Sequence, residues 1–89
     1  MKKGFVYILK SLKNDKYYIG STTDIRKRLR QHESGNVKAT RNIQPIKLEF
    51  FQEYDSFGLA RKIEYRLKSF KRKDFIEKIL QDKIIKSGL

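Results

Sequence analysis

The sequence contains no cysteine, a single histidine, a single proline and no long apolar segment. Without thiolates the chain has neither a disulfide framework nor a cysteine zinc site, and one histidine cannot make a zinc site either. The longest apolar run, residues 5–9, is far too short to cross a membrane, and the N-terminus lacks the apolar core of a signal peptide. We therefore expect a cytoplasmic protein without a membrane partner.

Acidic residues are also scarce, with 10 Asp and Glu against 22 Lys and Arg and a net charge of +12. Such a field attracts polyanions and is screened by salt, which favours nucleic acid as the partner. A low-GC genome or simple solubility explains lysine-rich composition about equally well. At 89 residues, of which 38% are hydrophobic, the chain is expected to form a single domain, residues 1–89, around a small core.

Three strands are predicted from local composition. Residues 5–9 and 16–20 are rich in β-branched and aromatic side chains, and the turn formers Asn14 and Asp15 lie between them, which predicts a hairpin. Alternating apolar and polar residues over 46–54 predict a third strand.

The period-2 geometry of a strand assigns side chains to the two faces of the sheet. Tyr7 shares one face with Phe5 and Leu9, and Tyr18 shares a face with Gly20. The residues between them are also apolar, so the sheet is expected to be covered on both sides.

A first helix is predicted after Thr22, Thr23 and Asp24, which supply N-cap chemistry, because apolar residues recur at helical spacing beyond them. Ile25 and Leu29 form its buried stripe. Arg28 and His32 lie beside that stripe, so both are expected at the rim of the core.

The first helix is expected to end near Glu33, before an irregular loop over residues 34–44. Amphipathic spacing predicts a helix over residues 57–70 and a last helix from Asp74 to near Gly88. The inward-facing residues of these two helices are expected to be Leu59, Ala60, Ile63, Leu67, Phe70, Phe75, Ile76, Ile79, Leu80 and Ile84. The fold class is therefore α+β, a three-stranded mixed or antiparallel sheet flanked by helices in the order β-β-α-β-α-α.

Polar residues with a common chemical theme are distributed along these elements. Tyr7 is followed by the tripeptide at 18–20, Tyr-Ile-Gly, and then by Arg28, His32 and Glu64. In order and approximate spacing these residues resemble the GIY-YIG nuclease domain, which occurs in some homing endonucleases, excision-repair nucleases and restriction enzymes. The chain is similar in length to small stand-alone bacterial members.

The resemblance implies a DNA endonuclease that depends on Mg²⁺ or Mn²⁺. Glu64 would hold the metal, since such an ion keeps several waters and takes further ligands from phosphate. Tyr7 would be the general base and Tyr18 would orient the attacking water or a phosphate oxygen, although the sequence leaves open which phenol is the base. Arg28 would bind phosphate, and His32 would act on phosphate or the leaving group.

Contacts to nucleic acid are expected from one glycine and several basic residues around these positions: Gly20, Arg26, Lys27, Arg30, Lys38, Arg41 and Lys68. The chain offers no recognition helix or zinc finger, so these contacts are expected to follow the backbone with low sequence specificity. Taken singly, the same residues have ordinary interpretations. Glu64 can form a helix ion pair with Lys68, and strand tyrosines commonly pack their rings.

One departure from the family pattern keeps other functions open. Many members carry an asparagine after the metal-binding glutamate, whereas Asn14, Asn36 and Asn42 all precede Glu64. A non-catalytic, basic nucleic-acid-binding protein on the same scaffold is therefore the alternative, and an accessory subunit whose protein partner supplies specificity is a third hypothesis. Branched, damaged or single-stranded DNA and RNA are open as substrates, and the oligomeric state is open.

Overall fold

The helices and strands follow the predicted order, with one short helix added. The computed structural model describes residues 2–70 and 73–85. Its elements are β1 (Gly4–Ser11), β2 (Tyr17–Thr22), α1 (Ile25–Glu33), α2 (Lys38–Arg41), β3 (Ile46–Tyr54), α3 (Phe57–Phe70) and α4 (Lys73–Asp82). None of these helices has the length and apolar character needed to cross a bilayer.

The three strands form one sheet in the order β2-β1-β3, and both pairings are antiparallel. In the central strand, Tyr7 stands opposite Gly20 on one side and Phe51 on the other. The predicted α+β class is confirmed, and the sheet is antiparallel throughout.

Both faces of the sheet are covered, as the alternation predicts. The larger core joins one sheet face to α3, to α4 and to the segment after α4, and contains Val6, Ile8, Ile19, Ala60, Leu67, Ile76, Ile79 and Ile85. On the other face, Tyr7 and Leu9 line a small cavity together with Ile25 and Leu29 of α1. Of the predicted site residues, Tyr7, Arg28 and His32 meet on this second face.

The segment after α1 is more ordered than an irregular loop, so that prediction was wrong. It contains α2, and Thr40 in this short helix is completely buried. His32, expected at the rim of the core, is likewise 0% exposed. The two side chains bury each other because the segment folds back over the end of α1.

The end of α4 also differs from the prediction. The helix stops at Asp82, and Lys83 takes a left-handed φ of 58°, so the following residues leave the helical phase. Ile85 is buried in the core, whereas Ile84, predicted to face inward, is 48% exposed. The predicted helix end near Gly88 lies outside the described residues.

The apolar stripe of α3 is narrower than predicted. Ala60 and Leu67 are buried, but Leu59 and Phe70 are 43% and 41% exposed. Phe70 instead packs its ring against Phe75 of α4, with centroids 4.7 Å apart. The contact joins the two helices at their surface rather than in the core.

Candidate active site

Tyr7 places a phenol at the centre of the sheet face covered by α1. Its side chain is nearly buried, and its hydroxyl lies 2.8 Å from Nε2 of His32. The Nε–H of Arg28 donates to the same oxygen at 3.4 Å. Burial raises the pKa of Tyr7, while the hydrogen bond from Arg28 acts in the opposite direction. The group is therefore a neutral phenol near pH 7, and it needs a proton acceptor before it can serve as a base.

Gly20 makes room for that phenol. It stands opposite Tyr7 in the sheet, and a Cβ at this position would lie only 2.3 Å from the Tyr7 hydroxyl. Gly20 is itself buried. The Tyr7 ring covers Gly20, which indicates a packing role, and its contact with nucleic acid stays a prediction.

His32 is the proton acceptor nearest to the phenol. Burial, together with the positive charge of Arg28, lowers the pKa of His32 to about 4, so the imidazole is neutral near pH 7. Its Nδ1 lies 2.7 Å from the hydroxyl oxygen of Thr40. The side chain of Gln44 donates to its main-chain carbonyl. The ring is therefore held from both sides in a dry environment.

Tyr18 completes a cluster of three rings. Its ring centroid lies 5.2 Å from that of His32 and 6.4 Å from that of Tyr7. The ammonium of Lys68 lies 5.5 Å from the Tyr18 centroid. Tyr18 is half-buried, so this ring forms the boundary between the buried pair and the surface.

Glu64 approaches the same edge strand from the opposite face of the sheet. The hydroxyl of Ser21 donates to its carboxylate, and Lys68 forms an ion pair with it at 2.7 Å. Ser21 directly follows Gly20 in β2. The Glu64 side chain is 19% exposed, and its charge is one of the smaller causes that raise the pKa of Tyr7, after burial. The acid is thus close enough to influence the phenol electrostatically.

A surface cleft opens beside a hydrogen-bond partner of each of these two groups. Its volume is ≈ 270 Å³, and its lining includes Ser21, Lys27 and Arg28. Ser21 carries the hydrogen bond to Glu64, and Arg28 carries the hydrogen bond to Tyr7. Glu64 and Tyr7 do not themselves line the cleft, so a phosphate bound there would meet the guanidinium of Arg28 directly and would be linked to the carboxylate and the phenol through Ser21 and Arg28.

The donor set suits a weakly coordinated divalent ion. In residues 2–70 and 73–85 no group of three or more His, Asp or Glu side chains could hold a metal ion. Glu64, with the Ser21 hydroxyl beside it, would be the sole carboxylate ligand. Mg²⁺ and Mn²⁺ accept such oxygen donors and complete their shell with water and phosphate.

The basic residues predicted to contact nucleic acid lie on the surface around α1, α2 and α3. All of them are exposed: Arg26, Lys27, Arg30, Lys38, Arg41 and Lys68. Arg41 also donates to the Gly35 carbonyl at 2.9 Å. Their exposure is compatible with binding nucleic acid, and that role stays a prediction.

Sequence reasoning missed two residues of this site. Ser21 carried a signal, because it follows the Tyr-Ile-Gly tripeptide and its strand alternation places it on the face of Ile19, toward α3. Thr40 carried none, since its contact with His32 depends on the fold of a short segment without periodicity.

Comparisons with known proteins match residues 3–78 to the GIY-YIG catalytic domain. A UPF0213 protein of Klebsiella pneumoniae is 35% identical over 79% of this chain and 66% of its own length. A UPF0213 protein of Syntrophus aciditrophicus is 36% identical over 92% of this chain and 95% of its own length. The solution NMR structure of a UPF0213 protein from Bacillus halodurans matches with a TM-score of 0.58 at 32% identity, covering 91% of this chain and 85% of that one.

Proposed function

The chain belongs to the GIY-YIG catalytic domain family of endonucleases, and from this premise we propose that it cleaves DNA with a divalent metal ion and low sequence specificity. The observation that supports this most directly is the hydrogen bond between Tyr7 and His32, because it gives a buried phenol a neutral proton acceptor. Arg28 and the nearby Glu64 supply the charges that phosphate chemistry requires.

The transfer of protons gives each residue a role. Tyr7 takes a proton from the attacking water while its own proton passes to Nε2 of His32, which becomes an imidazolium. The water oxygen forms a bond to phosphorus and the bond to the 3′-oxygen breaks, leaving a 5′-phosphate and, once solvent supplies a proton, a 3′-hydroxyl. Arg28 stabilises the charge that builds on the phosphate oxygens. His32 then releases its proton to solvent, which its low pKa favours.

Glu64 would hold the metal ion, and a Mg²⁺ or Mn²⁺ ion there would neutralise charge on the phosphate and on the leaving oxygen. Tyr18 is proposed to orient the water or a phosphate oxygen. It is the less suitable base, because the Tyr7 hydroxyl is the phenol hydrogen-bonded to His32.

The basic surface of α1 and α2 would bind the DNA backbone. Both helices carry exposed cations: three on α1, Arg26, Lys27 and Arg30, and two on α2, Lys38 and Arg41. Replacing one cation that binds a phosphate should make binding less sensitive to salt, with a slope change of about 0.9 in log K against log salt for duplex DNA.

A cleavage assay with one charge removed tests the proposal. Plasmid DNA and Mg²⁺ are incubated with wild type, with Glu64→Gln and with a control variant, Glu53→Gln. The control removes an exposed carboxylate on β3 that forms an ion pair with Lys3. We expect nicking by wild type and the control, and its loss in Glu64→Gln with unchanged circular dichroism and DNA affinity. Equal nicking by wild type and Glu64→Gln would overturn the metal role.

The alternative function, non-catalytic nucleic-acid binding, is supported by the ion pair that already occupies Glu64 and by the missing asparagine. It predicts salt-sensitive DNA binding with no cleavage by wild type in Mg²⁺ or Mn²⁺. A specificity-supplying protein partner would instead be indicated by cleavage that requires a second component, and the same assay detects this outcome when cell extract is added.

A further inference from the structure

Thr40 is a completely buried polar residue that has no place in the set of site residues predicted from the sequence. It lies on α2, and its hydroxyl oxygen is 2.7 Å from Nδ1 of His32. The same hydroxyl lies 3.5 Å from the carbonyl of Val37 in the same turn. Thr40 therefore touches the imidazole on the side away from Tyr7.

The hydrogen bonds around His32 can be satisfied in full by only one proton arrangement. If Nδ1 carries the proton, it donates to Thr40, the Thr40 hydroxyl donates to the Val37 carbonyl, and Nε2 accepts from Tyr7. If Nε2 carried the proton, it would donate to the Tyr7 oxygen.

In that second arrangement the Tyr7 hydroxyl proton loses its acceptor. Within residues 2–70 and 73–85, the other hydrogen-bond partner of the Tyr7 oxygen is Arg28, and a guanidinium only donates. A buried hydroxyl without an acceptor is unfavourable. The protonated state of Tyr7 and the Nδ1–H tautomer of His32 are therefore coupled.

We propose that Thr40 is a positioning residue: by accepting a hydrogen bond from Nδ1–H it holds His32 in the tautomer whose Nε2 can receive the proton of Tyr7. A neutral imidazole without this partner would divide between its two tautomers, and only one of them can accept. The role of Thr40 in cleavage rests on the proposed function, whereas its effect on the tautomer does not.

Nuclear magnetic resonance tests the tautomer directly, because the chain has a single histidine. Long-range ¹H–¹⁵N correlation spectra of ¹⁵N-labelled wild type near pH 7 should show a pyrrole-type Nδ1 and a pyridine-type Nε2. In Thr40→Val, which keeps the shape and removes the hydroxyl, both nitrogens should move toward averaged shifts. Thr40→Ser restores the hydroxyl and should restore the wild-type pattern.

Two results would overturn the proposal. One is a wild-type spectrum in which Nε2 carries the proton, and this test needs no variant. The other is a folded Thr40→Val variant, verified by its amide spectrum, whose tautomer matches wild type.

Cleavage kinetics add a second readout. We expect kcat of Thr40→Val to fall about 10- to 100-fold with KM unchanged, as is typical when a residue that orients a site residue is lost. Thr40→Ser should recover most of the wild-type kcat. An unchanged kcat would contradict the role in cleavage. If wild type does not cleave DNA at all, the proposed function fails while the spectra still decide the tautomer.

Discussion

The hydroxyl of Tyr7 and Nε2 of His32 lie 2.8 Å apart in a part of the sheet face that solvent barely reaches. Burial acts on the two groups in a complementary way, because it raises the pKa of the phenol and lowers the pKa of the imidazole. Each neutral form is thereby favoured, and the proton between them rests on Tyr7. In the proposed mechanism that proton moves to His32 only when a water molecule supplies another to Tyr7.

Removing the hydroxyl of Tyr7 or of Tyr18 should show which of the two tyrosines is the general base. We expect Tyr7→Phe to lower the cleavage rate by about 10²- to 10⁴-fold, since it removes the proposed general base. The change also leaves Nε2 of buried His32 without its partner, at a cost of about 1–3 kcal/mol in the free energy of unfolding. Tyr18→Phe is the matched comparison and should retain more activity. A larger loss in Tyr18→Phe than in Tyr7→Phe would assign the base to Tyr18.

The low pKa of His32 predicts a stability that depends on pH. The unfolded chain protonates the imidazole near pH 6.5, whereas the folded protein does so only near pH 4. Between these values the unfolded state binds more protons, so the free energy of unfolding should fall as pH decreases from 6.5 to 4. The full shift corresponds to about 3 kcal/mol. It should be complete near pH 4 and absent above pH 7.

Urea unfolding at intervals between pH 7.5 and 4 measures this dependence. Carboxylates titrate in the lower part of the same range, so wild type is compared with His32→Gln, which keeps a polar side chain and lacks the imidazole. The difference between the two curves isolates His32, because it is the only histidine in the chain. Parallel curves would show that His32 protonates equally easily in both states.

A methyl group at position 20 should disrupt the site through Tyr7. The added Cβ would lie 2.3 Å from the hydroxyl and 2.4 Å from the adjacent ring carbon, so the ring must turn away and lose His32. We expect Gly20→Ala to destabilise the protein by about 1–3 kcal/mol and to lower activity strongly. Gly58→Ala is the control, since its Cβ would meet nothing closer than 4.0 Å and helical Ala is favoured over Gly. Thermal unfolding of both variants measures the difference, and equal midpoints would contradict the packing role of Gly20.

Strand periodicity accounts for most of what the sequence predicted correctly about the site. The alternation in β1 and β2 placed Tyr7 on one face of its strand, and it placed Tyr18 on the same face as Gly20. Helical spacing placed Arg28 and His32 on one side of α1. These assignments need only local geometry and a known pairing. The confirmed family membership supplied the chemistry that local geometry lacks.

Tertiary contacts decided the rest, and no periodic pattern encodes them. The burial of His32 depends on α2 folding over it, which brings Thr40 within hydrogen-bond distance. Ile85 lies in the core where Ile84 was predicted, because Lys83 has a left-handed φ and the residues after it no longer follow the helical spacing of α4. In both cases a short segment without a repeat determines which side chain points inward.

Lys68 forms an ion pair with Glu64, so a metal ion bound by Glu64 would compete with the Lys68 ammonium for the carboxylate. Its ammonium lies 2.7 Å from the carboxylate and 5.5 Å from the centroid of the Tyr18 ring, and its side chain is 49% exposed. An exposed helix pair of this type is worth about 0.3–0.5 kcal/mol. Removing it should therefore tighten Mn²⁺ binding by about twofold.

Lys68→Met keeps most of the apolar stem and removes the charge, and Mn²⁺ titration followed by electron paramagnetic resonance measures the affinity. Lys78→Met removes a comparable helix pair with Asp82 on α4 and should leave Mn²⁺ binding unchanged. DNA affinity should decrease in Lys68→Met, because the variant lacks a cation that is proposed to bind phosphate. Weaker Mn²⁺ binding in Lys68→Met would show instead that Lys68 supports the metal site. Tighter metal binding with weaker DNA binding would mean that Lys68 neutralises Glu64 in the free protein and moves to phosphate when the ion and DNA arrive.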